Sequence, residues 1–136
     1  MTDNKPFIFE CEIEVRDYEL DAEGIVNNAN YLHYLEHTRH LFCKSEGFSF
    51  ADMRKQGIDP VLAKVTISYH TPRVSGDVMT SRLNMRRVGR RFIFNQWIIN
   101  SKGQSVVKAE VTVVALVNGK LSRGDELAAP FTKYLD

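Results

Sequence analysis

The sequence predicts an α+β domain in which one long central helix is wrapped by a curved antiparallel sheet of about five strands. Three observations on the 136-residue chain lead there. One long segment, residues 29–46, has helical periodicity and is preceded by a stretch of period-two alternation. Four strand-like runs follow it, joined mostly by tight-turn sequences, which makes the last strands antiparallel neighbours. One helix cannot cover a flat five-stranded sheet, whereas a strongly twisted sheet can curl around it.

Residues 7–16 alternate, with Phe7, Phe9, Cys11, Ile13 and Val15 on one face and Glu10, Glu12, Glu14 and Arg16 on the other. That is a half-buried strand. The helix over 29–46 carries Tyr31, Tyr34, Leu35, Thr38, Leu41 and Phe42 as one apolar stripe and is closed by Gly47. At 1.5 Å per residue it is a rod of about 25 Å. A short second helix over 50–56 follows Ser49, with Asp52 three residues on as a near capping box. Residues 61–70 place Val61, Ala63, Val65, Ile67 and Tyr69 on one face, and 78–87 turn Met79, Leu83 and Met85 inward. Residues 92–99 are apolar on both faces, as in a strand covered on both sides, and 106–117 carry Val107, Ala109, Val111, Val113, Ala115 and Val117 on one face. Turn signals separate these runs: Ser75-Gly76-Asp77, Val88-Gly89-Arg90, Lys102-Gly103 and Asn118-Gly119. The tail, 121–136, reads as a turn and a packed end.

The length fits a single domain, residues 1–136, and 43% hydrophobic with 26% charged residues is an ordinary globular composition. A formal net charge of +1 gives no whole-surface attraction to nucleic acid or membrane, so any anion site must come from local clustering. Cys11 and Cys43 are too few for a disulfide framework and read as small buried thiols in a reducing compartment. No signal-like start and no apolar run of membrane-spanning length is present, so the expectation is a cytoplasmic protein.

The stretch from Leu20 to Tyr31 joins the first strand to the long helix. Asp21 stands at its head, and Asn27 and Asn28 at its tail are suited to cap the helix. A carboxylate near a row of free backbone N–H groups is equipment for attack on a carbonyl and for holding the oxyanion that forms. The competing reading is a turn aspartate that bonds its own loop amides.

Asp-x-x-Gly-Ile-Val-x-x-x-Asn-Tyr, flanked by Val15-Arg16-Asp17 and by Tyr31-Leu32-x-Tyr34-Leu35-Glu36-x-x-Arg39, resembles the signature loop of hotdog-fold acyl-CoA thioesterases of the 4-hydroxybenzoyl-CoA thioesterase type. The resemblance runs over nearly the whole chain, though only this loop is specific. It implies the hotdog fold and hydrolysis of an acyl-CoA to free acid and coenzyme A. Asp21 would be general base or nucleophile, and the backbone amide of Asn28, with that of Ala29 next, would hold the oxyanion. Tyr31 and Glu36 would contact the substrate. The competing reading for Glu36 is an ion pair with Arg39 three residues on. No metal or redox cofactor is required, coenzyme A being part of the substrate. Hotdog domains pair sheet edge to sheet edge, which implies a homodimer or homotetramer. The rival readings are a non-catalytic acyl-CoA-binding module and a thioesterase acting on acyl carrier protein. Plant acyl-carrier-protein thioesterases carry Asp-x-Asn-x-His-Val-Asn-Asn in a similar loop, where this chain has Glu23 and Ile25. Asp21 would therefore work without a loop histidine.

Four arginines, Arg86, Arg87, Arg90 and Arg91, surround the turn at Gly89. An ordinary solvated hairpin tip is one reading. In a nearly neutral chain they also offer a local anion site, and Arg90 and Arg91, with Arg87 behind, are the candidates to meet coenzyme A phosphates. His33-Tyr34-Leu35-Glu36-His37 matches the H-x-x-E-H pattern of some zinc peptidases, but His40 and Lys44 share that polar face and no third ligand is evident, so no metal site is expected. His70, at the end of a strand, is the one candidate for a dehydratase-type histidine.

Overall fold

The computed structural model describes residues 7–14, 28–47, 49–70 and 78–135. The loop bearing Asp21, the predicted strand end at Val15 and Arg16, and the turn at Ser75-Gly76-Asp77 lie outside these residues. Described in chain order are β1 (Phe9–Glu14), α1 (Asn28–Ser45), α2 (Phe50–Lys55), β2 (Ile58–Tyr69), β3 (Val78–Val88), β4 (Arg91–Ile99), β5 (Ser105–Val117), β6 (Lys120–Leu121) and α3 (Asp125–Ala128). A 3-10 turn over Ala129–Tyr134 ends the chain's regular structure. No described helix is long and apolar enough to cross a membrane.

All strand pairings are antiparallel, in the order β1-β3-β4-β5-β2, with β6 added to β5. The strands before and after the helices therefore occupy opposite edges, and α1 lies on the connection between them. Alternation turns Met79, Leu83 and Met85 of β3, Phe92, Phe94 and Ile98 of β4, and Val107, Val111 and Val113 of β5 into the core. They meet the stripe of α1, of which Tyr31, Tyr34, Leu35, Thr38 and Phe42 are buried. Thr38 is the polar member. Its hydroxyl donates to the Tyr34 carbonyl at 2.8 Å and lies 2.7 Å from the hydroxyl of buried Ser81, so neither is stranded in the core. Gly47, at φ +89°, ends α1 in the left-handed conformation that glycine adopts without a Cβ penalty. At Asn118-Gly119 both residues have positive φ, as a two-residue hairpin requires, and the turn adds the short strand β6 that the sequence pattern does not announce.

Two predicted features are corrected. β2 begins three residues earlier than the alternation suggests, and a bulge between Leu62 and Lys64 leaves Ala63 unpaired. The extra residue reverses the alternation. Pro60 and Leu62 face the cavity described below, Val65 and Ile67 pack against the core, and Val61 and Ala63 do not share their face. The expectation that β4 is covered on both sides holds in part. Ile93 is buried, but Asn95, Trp97 and Ile99 on the same face are only half-buried.

Burial decides the chemistry of the thiols. It raises the Cys43 thiol to about 12 and also raises half-buried Cys11, so both are protonated at pH 8. Alkylation by iodoacetamide at that pH is expected to be slow in the native protein and fast after unfolding. Equal rates would show that the core opens readily.

Candidate active site

The start of α1 is where the sequence places the oxyanion site. The helix begins at Asn28, and its first-turn amides have no partner within the helix. They form the positive end of the helix dipole. Asp21, the predicted base or nucleophile, lies outside the described residues.

Tyr31, one turn in, is buried, with its ring 5.9 Å from Tyr34 in an edge-on contact and 5.6 Å from Tyr69 at the end of β2. The structure thus places Tyr31 in the aromatic packing that ties the helix start to the edge strand. His70, next along, has its Nδ1 2.7 Å from the Ser105 hydroxyl.

Glu36 is exposed on the next turns of α1 and lies at the rim of a cavity of about 310 Å³. Arg39, His40 and Cys43 of the helix border the same cavity, facing Leu62 of β2 and the apolar residues of β3, β4 and β5. Along the flank Leu32, Glu36, Arg39, Cys43 the last three border the cavity, passing from exposed Glu36 through half-buried Arg39 to buried Cys43. Arg39 is tied across to the sheet rather than to Glu36: its Nη1 donates to Gln96 Oε1 at 2.8 Å. Gln96, fully buried on β4, in turn donates its Nε2 to the Leu35 carbonyl at 3.0 Å. Burial lowers the Arg39 pKa from its ordinary value, and the nearby Glu36 carboxylate works in the opposite direction. Burial likewise lowers His40, opposed by Glu36, so the imidazole is neutral at pH 7. Its ring stands edge-on to Phe50 at 4.7 Å.

Sequence reasoning missed Gln96, because a polar residue in an apolar run shows its role only when the helix carbonyl and the guanidinium are both seen against it. Gln96→Leu removes the acceptor from a half-buried charge. It is expected to cost about 2 kcal/mol, the usual scale for a hydrogen bond to a charged group. Urea unfolding measures this, and an unchanged midpoint would mean that Arg39 finds water instead.

At the β3–β4 turn the four arginines divide. Arg86 pairs with Glu110 across the exposed face at 3.3 Å, a contact of little energetic weight. Arg87 spends its donors on the fold: Nε to the Gly89 carbonyl, and Nη2 to the Arg123 carbonyl and to Asp125 Oδ1, each at 2.8 Å. It so clamps the hairpin to the loop before α3. Arg90 and Arg91 are exposed at the tip. Arg123, which the sequence pattern did not single out, joins Arg90 around one hollow there. Among the described residues no three His, Cys, Asp or Glu side chains converge as metal ligands, and this includes the His33 and His37 pattern.

The comparisons with known proteins agree with this layout. Residues 15–132 match the model of the thioesterase-like superfamily, a span that includes the Asp21 loop, α1 and all strands but β1. The chain is 36% identical over 107 residues to an acyl-acyl carrier protein thioesterase (ATL3, chloroplastic) of Arabidopsis thaliana, covering 71% of this chain and 56% of that protein. It is 33% identical over 109 residues to the long-chain acyl-CoA thioesterase FadM of Escherichia coli, covering 79% and 82%. The crystal structure of a hypothetical protein from Aquifex aeolicus, 33% identical, superposes with a TM-score of 0.79 over 84% of this chain and 90% of the other. The chain belongs to the thioesterase-like superfamily of hotdog proteins.

Proposed function

We propose that this thioester hydrolase cleaves an acyl-CoA to the free acid and coenzyme A, without a metal or redox cofactor. The observation that carries the reading is the family match across residues 15–132, which takes in the Asp21 loop and the helix start that follows it. Asp21 either removes the proton from a water that attacks the thioester carbon, or attacks that carbon itself to give an acyl anhydride that a water then hydrolyses to the free acid and the restored carboxylate. The carbonyl oxygen, negative in the tetrahedral intermediate, is held by the Asn28 amide, with that of Ala29 beside it, at the positive end of α1. Collapse of the intermediate breaks the C–S bond and expels the thiolate of coenzyme A. That thiolate is a fair leaving group, so the missing loop histidine is tolerable. Arg90 and Arg91 meet the phosphates, while Arg87 holds their hairpin in place. In this reading α1 is the central helix of a hotdog sheet that curls around it. Two copies pair edge to edge, and the enzyme works in the cytoplasm.

The relatives support an acyl thioester as substrate and divide over its carrier. The E. coli name specifies acyl-CoA and the Arabidopsis name acyl carrier protein. Thiol release measured with the same acyl group on each carrier separates them. Faster release from the CoA ester, and loss of that advantage in Arg90→Ala/Arg91→Ala, is the expected result. Preference for the protein carrier would replace this reading with the second. Binding of acyl-CoA without any thiol release would leave a non-catalytic module.

A further inference from the structure

The cavity beside α1 has a direction. Its floor is core: Met85, Phe92, Phe94, Val113 and Phe131 are all buried. Its rim is exposed, formed by Glu36, His40, Arg54 and Leu62. A ligand therefore enters with an apolar end first and leaves any polar end outside.

The rim also has a path to the helix start. α1 and β2 lie side by side in opposite senses. Tyr31 meets Tyr69 at one end, and Arg39 and Cys43 face Leu62 and Pro60 at the other. The helix backbone packs most closely on β1 and β3, at the opposite side of the sheet. Large apolar side chains stay exposed on both elements: Tyr69 at 43% and Leu62 at 53% on β2, and on α1 Leu32 at 41%, which helix spacing puts on the flank of Glu36 one turn nearer the helix start. Exposed apolar residues aligned between a helix terminus and an apolar cavity are what an acyl chain needs.

We infer that this cavity is the end-stop of an acyl channel and that the substrate is a long, unbranched aliphatic acyl thioester. The inference rests on the thioesterase reading above for the position of the thioester. With the carbonyl at Asn28, Glu36 is eight helical steps further on, about 12 Å along the axis. An extended chain advances little more than an ångström per carbon, so only a chain approaching ten carbons reaches the rim. The 310 Å³ beyond it has room for roughly ten further groups at about 30 Å³ each, before the loss to imperfect filling. Tetradecanoyl to octadecanoyl chains satisfy both lengths. Butanoyl, hexanoyl and benzoyl groups stop short of the cavity.

The test is kcat/KM across straight-chain acyl-CoAs from butanoyl to octadecanoyl, with wild type, Val113→Phe, which fills the floor, and Leu62→Trp, which narrows the rim from an exposed position. In parallel, the linear fluorescent fatty acid cis-parinaric acid is titrated into each protein, which reports the cavity without chemistry. In wild type, kcat/KM is expected to climb beyond ten carbons by up to about fourfold per added methylene, the transfer value for burying one. In either variant the ratio of hexadecanoyl to hexanoyl kcat/KM is expected to fall at least tenfold, with parinaric acid binding weakened in step. Should thioesters be cleaved with a short-chain optimum, or with that ratio unmoved in both variants, the end-stop is overturned and the thioesterase reading stands. Should no thioester be cleaved while parinaric acid binds and the variants weaken it, the thioesterase reading falls and the cavity assignment stands.

Discussion

Asp21→Asn is expected to lower kcat for acyl-CoA hydrolysis by about 10²–10⁴-fold, the range by which a positioned base accelerates a reaction. Asparagine keeps the shape of the side chain but can neither take a proton from water nor attack a carbon. Both versions of the Asp21 mechanism therefore predict the same loss. Both also require the carboxylate ionised, so the wild-type rate should rise with pH through the aspartate's titration, and the variant should lose that rising limb. Thermal unfolding of the variant separates chemistry from stability, since an unchanged melting temperature assigns the lost turnover to the chemistry. Turnover within a factor of two of wild type would remove Asp21 from the mechanism. A single turnover in ¹⁸O-water, paired with a rapid quench, then decides between the two versions. Label in the Asp21 carboxylate marks an anhydride opened at the Asp21 carbon, whereas label confined to the released acid means that water attacked the acyl carbon. Trapping of an acylated Asp21 in the quench then tells an anhydride from a general base.

Phe42→Ala is expected to destabilise the fold by about 3–5 kcal/mol, the cost of emptying a large aromatic site in a core. Phe42 is completely buried near the end of α1. Its ring lies 5.7 Å from Phe9, 5.5 Å from Phe131, nearly parallel to it, and 5.5 Å from Tyr134. One side chain thus joins the helix to β1 and to the C-terminal turn. The same turn is pinned from the other side, where Glu46 accepts from the Tyr134 hydroxyl at 2.9 Å and pairs with Lys133 at 3.0 Å. A domain of this size has about 5–15 kcal/mol in all, so the variant should sit near the edge of folding. Urea unfolding gives the figure, and Phe42→Leu should recover most of it. A loss below about 1 kcal/mol for the alanine variant would mean that the three rings close over the gap.

Why some elements were legible follows from what each one needs. Of the stripe Tyr31, Tyr34, Leu35, Thr38, Leu41 and Phe42, all but half-buried Leu41 are buried as the spacing predicts, because a helix buries one face and the period of that face is fixed by the backbone. β5 followed its alternation for the same reason. β2 did not, since its bulge at Ala63 is set by how it fits β5 rather than by its own residues. The tail was illegible for another reason: α3 has four residues, too few to show a period, and the turn after it is held by Phe131 entering the core.

The sequence by itself carried the motif whose family resemblance implies the class of chemistry, and it nominated Asp21, the Asn28 amide and the arginines of the β3–β4 turn as candidates. A local motif and a cluster of like charges are written in neighbouring positions. Only the tertiary structure decided that Arg87 is a clamp and Arg123 its neighbour, that Arg39 is held by Gln96, and that Glu36 stands at the mouth of a cavity. Each of those facts depends on residues tens of positions apart meeting across a helix and a sheet, and the depth of a cavity is a property of no single stretch of chain.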